Sequence, residues 1–383
     1  MMSPHLLSIA DKPQAPDYIQ AIAPYVGGKP IEELAREMKI PIEKIVKLAS
    51  NENPLGIPDS AKLAMQAAID NLGRYPDGNA FEVKTVISQR LNTPTSWITL
   101  GNGSNDILEL IARAYLKPSQ SVVFSQYSFV VYGLVTQAAG ARSIVVSAIT
   151  SGTHKLGHDL PAMLAAITTD TQIIFIANPN NPTGTFLTAH QISDFLSKIP
   201  SHIVVVLDEA YNEYLDDALR FDATQWVKQY PNLVVSRTLS KAYGLAGIRI
   251  GYAIAQPAIT DVLNRIRQPF NVNSLAQAAA IAAIQDDDFL QRSKAINSAG
   301  YTQLIQACER LNLKYIPSKA NFILIHLGEQ AQTVNQALLK QGVIVRPVAS
   351  YGLPNYLRVS IGLECENAAF ITALETSLSA LSI

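Results

Sequence analysis

The chain has 383 residues, 48% of them apolar and 16% charged, with a formal net charge of −1. That length admits two or three compact units and that composition a large core, while the near-neutral charge gives no reason to expect a nucleic-acid or membrane partner. The two cysteines, Cys308 and Cys365, form no CxxC and fit a reducing compartment. The first residues lack a basic segment and carry too short an apolar run for a signal peptide. No stretch reaches the ~20 apolar residues of a membrane span. A soluble cytoplasmic protein is expected.

Residues 1–30 are rich in Pro and Gly and read as an extended arm lying across another surface. A short helix over 31–39 ends at Pro41. Residues 47–56 read as a strand running into a turn that Asn53-Pro54 initiates. Helices are predicted over 59–72 and 80–91, separated by the tight turn Arg74-Tyr-Pro-Asp-Gly78, which exposes Tyr75. From Trp97 onward strand and helix alternate. Strands are predicted over 97–100, 121–124, 143–146, 172–177, 203–207, 233–237 and 248–255, with helices over 107–116 and 129–139. Continuous apolar runs separated by helices imply an α/β fold with a mostly parallel sheet covered on both faces. After Pro257 come long helices over 258–267, 274–284 and 289–311. Strand segments at 321–326, 343–347 and 356–361 follow, with a helix ending at Leu339 and a closing one over 366–381. This describes a second, α+β domain.

Several polar motifs fall at the predicted strand ends, where open α/β sheets bind ligands. Gly101-Asn-Gly-Ser-Asn-Asp106 opens a helix directly after a strand. Its glycines permit close backbone approach, and Ser104 and Asn105 are placed as N-cap and first-turn donors to an anion. Asp106 stands where a dinucleotide fingerprint needs its third glycine, and a plain N-cap turn meets the same description. In Ser128-Phe-Val-Val-Tyr132, either Phe129 or Tyr132 is suited to stack on a planar ring. Asn178-Pro-Asn-Asn-Pro-Thr-Gly184 makes a rigid turn able to aim an amide at a phenolic oxygen. Asp208 ends a buried strand, where a carboxylate is costly unless paired with a cation such as a protonated pyridinium nitrogen. Tyr211 follows three residues on. A Walker-type magnesium role for Asp208 needs a GxxxxGK[ST] loop, and none is present. His154 and His158 lie four apart without an HExxH pattern, so no metal site is expected.

The strand over 233–237 delivers Lys241 onto a turn rich in hydroxyls and glycines. Thr238 and Ser240 precede the lysine, and Gly244, Gly247, Arg249 and Gly251 follow it. A neutral amine there condenses with an aldehyde to form a Schiff base, and the hydroxyls and Arg249 hold a phosphate beside it. A phosphate-bearing aldehyde bound to lysine describes pyridoxal phosphate (PLP).

Together these strings resemble the PLP-dependent aminotransferases of fold type I, and within them the histidinol-phosphate aminotransferases. The resemblance runs from Pro24-Tyr-Val-Gly-Gly28 to Leu357-Arg-Val-Ser360. Its most specific parts are Asn180-Asn-Pro-Thr-Gly184, Asp208-Glu-Ala-Tyr211 and the run from Arg237 to Arg249. It implies an arm and part of a small domain over 1–45, a large PLP-binding domain over 46–265 with a seven-stranded type of sheet, and a small domain over 266–383. It also implies that Lys241 bonds the cofactor's aldehyde, that Asp208 pairs with the ring nitrogen, and that Asn181 and Tyr211 hold the ring's phenolic oxygen. Ser104, Asn105, Thr238, Ser240 and Arg249 would bind the phosphate, and Phe129 would stack on the ring. Tyr75 would reach the phosphate from the other subunit of a homodimer. Arg358 would take the α-carboxylate of glutamate, Arg346 the phosphate of imidazole-acetol phosphate, and Tyr25 would help cover the site. Transamination of an aromatic keto acid such as phenylpyruvate, and decarboxylation of threonine phosphate, are the alternatives.

Overall fold

A computed structural model describes residues 13–24 and 27–381. Its strands, in chain order, are β1 (Val46–Leu48), β2 (Ile98–Gly101), β3 (Ser121–Ser125), β4 (Arg142–Val146), β5 (Thr171–Ala177), β6 (Val204–Asp208), β7 (Leu233–Thr238), β8 (Gly251–Ile254), β9 (Tyr315–Ile316), β10 (Phe322–His326), β11 (Val343–Pro347) and β12 (Tyr356–Ser360). They form a seven-stranded sheet, ordered β2-β8-β7-β6-β5-β3-β4, and a five-stranded sheet, ordered β1-β11-β12-β10-β9.

In the larger sheet β3 to β7 run parallel, and β8 is antiparallel to both its neighbours. The central strands carry continuous apolar stretches, over 173–177, 204–207 and 233–235, because helices cover both faces. Alternate residues serve the two sides, as the two-residue period of a strand requires. Ile174, Ile176, Val205 and Leu207 join one core, and Ile173, Phe175, Val204 and Val206 the other. Helix Ser104–Tyr115 packs on the second face, where Ile107, Leu108 and Ile111 are fully buried at helical spacing.

The smaller sheet is covered by helices Asp287–Arg310, Ala331–Lys340 and Glu364–Ala380. Its edge strand β1 pairs in parallel with β11, with Val46 opposite Val343. The strand expected to start the large domain is thus hydrogen-bonded into the second sheet. In the other direction, the alanine-rich helix Ser274–Gln285 buries Ala276, Ala279, Ala280 and Ala283 in a core of the larger sheet. Small side chains let it lie close to helix Asp59–Ala68.

Three local expectations differ from the fold. Helix Ser104–Tyr115 begins three residues before the expected Ile107, because the Asp106 carboxylate accepts the Asn102 N–H at 2.9 Å and closes the turn ahead of it. Its N-cap is Gly103, so Ser104 is the first helical residue. The strand expected over 248–255 shrinks to Gly251–Ile254, since Arg249 adopts a left-handed φ of 63° that no strand accommodates. Among the described residues no helix is long and apolar enough to cross a membrane.

Candidate active site

The carboxyl ends of β5, β6 and β7 meet the start of helix Ser104–Tyr115 around a cavity of about 230 Å³. Ser104, Asn105, Phe129, Asn181, Asp208 and Tyr211 all line it. So do Thr238, Ser240, Lys241, Arg249, Arg346 and Arg358.

One end of the cavity is built for an anion. The first turn of helix Ser104–Tyr115 presents amides and the positive end of the helix dipole. Thr238 ends β7, and its hydroxyl accepts the Ser240 N–H at 3.2 Å. The Arg249 guanidinium turns in to reach Ser240 Oγ at 3.3 Å. Glycine is required twice here. A Cβ on Gly103 (φ 80°) would lie 2.5 Å from Arg249 Nη2, and one on Gly251 would lie 2.6 Å from the Ser104 nitrogen.

Lys241 is half-buried and faces the cavity. Burial, with the charges of Arg358 and Arg249, lowers its pKa to about 8, and its Nζ donates to the Ser50 carbonyl at 3.1 Å. About a tenth is therefore neutral amine at pH 7, far more than for an ordinary lysine. Across the cavity, burial pushes Asp208 up to about 6, opposed in part by the nearby Tyr132 hydroxyl and Ala210 amide. Its Oδ2 accepts from Tyr132 at 2.9 Å, whereas its buried Oδ1 meets no donor at hydrogen-bond geometry. Burial also holds Tyr211 up to about 12, so its phenol stays protonated.

Arg358 is 6% exposed and held before any ligand arrives. It donates to Asn181 Oδ1 at 2.5 Å and to the Ala49 carbonyl at 2.9 Å, and it lies over the Phe322 ring at 5.2 Å. With Asn181 Oδ1 taken, the NH₂ group of that amide remains to donate elsewhere. Arg346 stands directly opposite Arg358 in the β11–β12 ladder. Like charges placed so destabilise a sheet, which marks this as a place to bind anions.

Phe129 and Tyr132 occupy different places. Phe129 lines the cavity, whereas Tyr132 is fully buried behind it, stacked on Phe175 at 4.6 Å, and gives its hydroxyl to Asp208. Tyr75 is not a lining residue; it is 82% exposed and stacked on Phe270. Tyr25 lies outside the described residues. Of the two histidines four apart, His158 is buried against the Ala177 carbonyl, and the described residues contain no group of three metal-binding side chains.

Sequence reasoning missed the loop after β1. Ala49, Ser50 and Asn51 each hold one cavity side chain, respectively Arg358, Lys241 and Tyr211. No local pattern marks them; only Pro54, downstream, signals a turn. Tyr351 is a further lining residue that no motif singled out.

These groups fit PLP. A buried carboxylate oxygen without a donor suits a protonated ring nitrogen. The anion corner suits a phosphate, and the lysine between them has the neutral amine that an aldehyde requires.

The family model for aminotransferase class I and II matches residues 43–374. The chain is 61% identical over 369 residues to histidinol-phosphate aminotransferase 1 of Cupriavidus pinatubonensis, covering 96% of this chain and 97% of the relative. It is 60% identical over 367 residues to histidinol-phosphate aminotransferase 2 of Ralstonia nicotianae, covering 95% and 97%. Its fold is similar to the crystal structure of histidinol-phosphate aminotransferase from Sinorhizobium meliloti in complex with pyridoxal-5'-phosphate. That match has a TM-score of 0.88 and 27% identity over 98% of this chain and 100% of the other. With the lysine, the lone carboxylate oxygen and the anion corner in one cavity, the chain belongs to the class I and II aminotransferases and, within them, to the histidinol-phosphate aminotransferase family.

Proposed function

We propose that the protein transfers an amino group between L-glutamate and imidazole-acetol phosphate, giving 2-oxoglutarate and L-histidinol phosphate, with PLP as cofactor. The observation that carries the chemistry is that buried Asp208, with one carboxylate oxygen lacking a donor at bonding geometry, lines the same cavity as Lys241. The choice of substrate rests on the relatives at 60–61% identity.

Bound PLP supplies the electron sink that lets an amino acid lose its Cα proton. The protein's part is to bind, orient and move that proton. Lys241 Nζ would hold the cofactor's aldehyde and, as a free amine, would carry the Cα proton as a base; its lowered pKa of about 8 suits that task. Asp208 would pair with the ring nitrogen, its carboxyl held by the Tyr132 hydroxyl. The Asn181 NH₂ group and the Tyr211 hydroxyl would donate to the phenolic oxygen. Ser104, Asn105, Thr238, Ser240 and Arg249 would hold the phosphate, and Phe129 would stack on the ring. Arg358 clamps the α-carboxylate of glutamate, and Arg346 takes the phosphate of the other substrate. One cationic pair serves both partners because carboxylate and phosphate each accept two parallel guanidinium bonds.

The active unit is a homodimer. Leu63, Ile69, Leu72, Tyr75, Phe81 and Phe270 are large exposed apolar side chains on helices Asp59–Ala68 and Phe81–Leu91 and on segments beside them. Such a surface favours cover by a second copy. It adjoins the anion corner, since Asn102 donates to the Asn271 carbonyl. Tyr75 then reaches the phosphate across the interface. Two free thiols, one of them exposed, fit a cytoplasmic setting.

Purified protein with PLP is expected to be yellow, and Lys241→Ala to lose that absorbance. If neither protein binds PLP, the assignment fails. Substrate choice is tested by kcat/KM for imidazole-acetol phosphate against phenylpyruvate, with glutamate as donor. Equal or better turnover of phenylpyruvate, or release of carbon dioxide from threonine phosphate, overturns it. Arg346→Leu should impair the phosphorylated substrate selectively; equal damage to the glutamate half-reaction reassigns that arginine.

A further inference from the structure

Asn51 differs from the other two residues of its loop because it reaches the cavity chemistry through its side chain. It is 1% exposed and holds a left-handed φ of 54°. Its backbone N–H donates to Ser360 Oγ at 2.8 Å. Ser360 keeps its single hydroxyl proton for another partner, and donates it to Asn51 Oδ1 at 3.0 Å. Those two bonds set the amide's orientation, with Oδ1 toward Ser360 and Nδ2 toward Tyr211. Nδ2 then donates to Tyr211 Oη at 2.9 Å. A phenol that receives an N–H has its one proton left to give. Tyr211 lines the cavity, so that proton is free to point into it.

We propose that Asn51 is a positioning residue that sets the polarity of the Tyr211 hydroxyl, so that Tyr211 donates, and does not accept, at the phenolic oxygen of bound PLP. The inference rests on the cofactor assignment above. Around Tyr211 the charged and titratable neighbours are Arg358, Asp208 and Tyr351, with Lys241 Nζ 5.9 Å from the ring centre. None of these side chains supplies a neutral N–H to the phenol in place of Asn51. The chain of bonds also ties the donor to β12, the strand that carries Arg358, because Ser360 ends it. A merely structural asparagine, kept for its left-handed backbone, would leave Tyr211 indifferent to the side chain.

Asn51→Asp separates these roles. Aspartate has the same shape and accepts the left-handed backbone. Its second carboxylate oxygen draws the Tyr211 proton away from the cavity and reverses the bond. With one donor lost, the negative charge on the cofactor's phenolic oxygen is less satisfied, and the bound cofactor holds its proton to higher pH. The readout is the pH midpoint of the visible absorbance change of PLP-loaded protein. N51D is expected to raise it by about one pH unit. The same substitution in a Tyr211→Phe background is expected to give a clearly smaller rise, the part due to the added charge alone, as two residues acting through one contact are not additive. Asn51→Gly, which suits the backbone and deletes the donor, should give a smaller rise, again only when Tyr211 is present; it carries the test if N51D does not fold. An unchanged midpoint, or an equal rise with and without Tyr211, overturns the inference. Absence of any visible band in wild-type protein overturns the cofactor assignment instead.

Discussion

Asp208 and Glu209 are consecutive residues at the end of β6, and at 4% and 1% exposure both are shut away from water. Burial pushes both acids upward, to about 6 and about 7. Their partners differ. Glu209 Oε2 receives both Nε and Nη2 of Arg237 at 2.8 Å, and Arg237 also reaches Asp222 at 3.5 Å. Asp208 has a tyrosine hydroxyl on one oxygen and no donor at bonding geometry on the other. Burial and a shifted pKa therefore do not separate a structural carboxylate from a functional one. What separates them is whether the protein itself supplies the counter-charge. Glu209 has its cation built in, while no cation of the protein is paired with Asp208 among the described residues.

The strongest attack on this contrast is Asp208→Asn, which keeps shape and removes the charge. Activity should fall by about 10³-fold, the scale on which a preorganised electrostatic group acts, while folding is retained. Steady-state kinetics beside a thermal melt decide the matter, and a variant that loses stability but not activity would erase the distinction. Next comes Arg237→Met, which strands Glu209. Breaking a buried pair from one side costs about 3 kcal/mol of folding stability, read by urea unfolding, with kcat little changed in the protein that remains folded.

The apo protein offers a third test. The folded pKa of Asp208, about 6, lies above the ordinary carboxyl value. The native state therefore holds more protons than the unfolded chain between about pH 4 and 6, so this group's contribution to stability falls as pH rises through that window. Relative to wild type, D208N should gain about 2–3 kcal/mol across it, measured by unfolding at a series of pH values. Glu209 titrates in both proteins and cancels in the difference. PLP should abolish the gain by giving Asp208 its partner. The smallest effect is expected from Tyr132→Phe, which leaves the stacking on Phe175 intact and removes one hydrogen bond. A loss of about tenfold in kcat, or about 1.4 kcal/mol, is expected, with weaker PLP binding and an upward shift in the acid limb of the pH profile.

Much of the large sheet is legible in the chain. β5 and β6 carry continuous apolar runs, β6 closing abruptly on Asp208, and β7 opens on three apolar residues before its polar end at Thr238. Short helices such as Ala189–Leu196 were not read, because two turns of helix give too few repeats to establish a period. From the sequence, Tyr132 and Phe129 are equal candidates to stack on a planar ring, because spacing cannot say which side of a strand end a ring will fill.

By itself, the order of residues determined the α/β class and the lysine-bearing turn. It also determined the set of side chains at the strand ends, since burial pattern and turn chemistry are local properties. Tertiary structure alone decided that β1 crosses to the second sheet and pairs Val46 with Val343. It also decided that Arg346 faces Arg358, and that Asn51 meets Tyr211 and Ser360. Those meetings join residues from 12 to 309 positions apart. Only loop closure and packing choose such partners, because neither strand propensity nor side-chain periodicity carries information about which distant edge a segment will find.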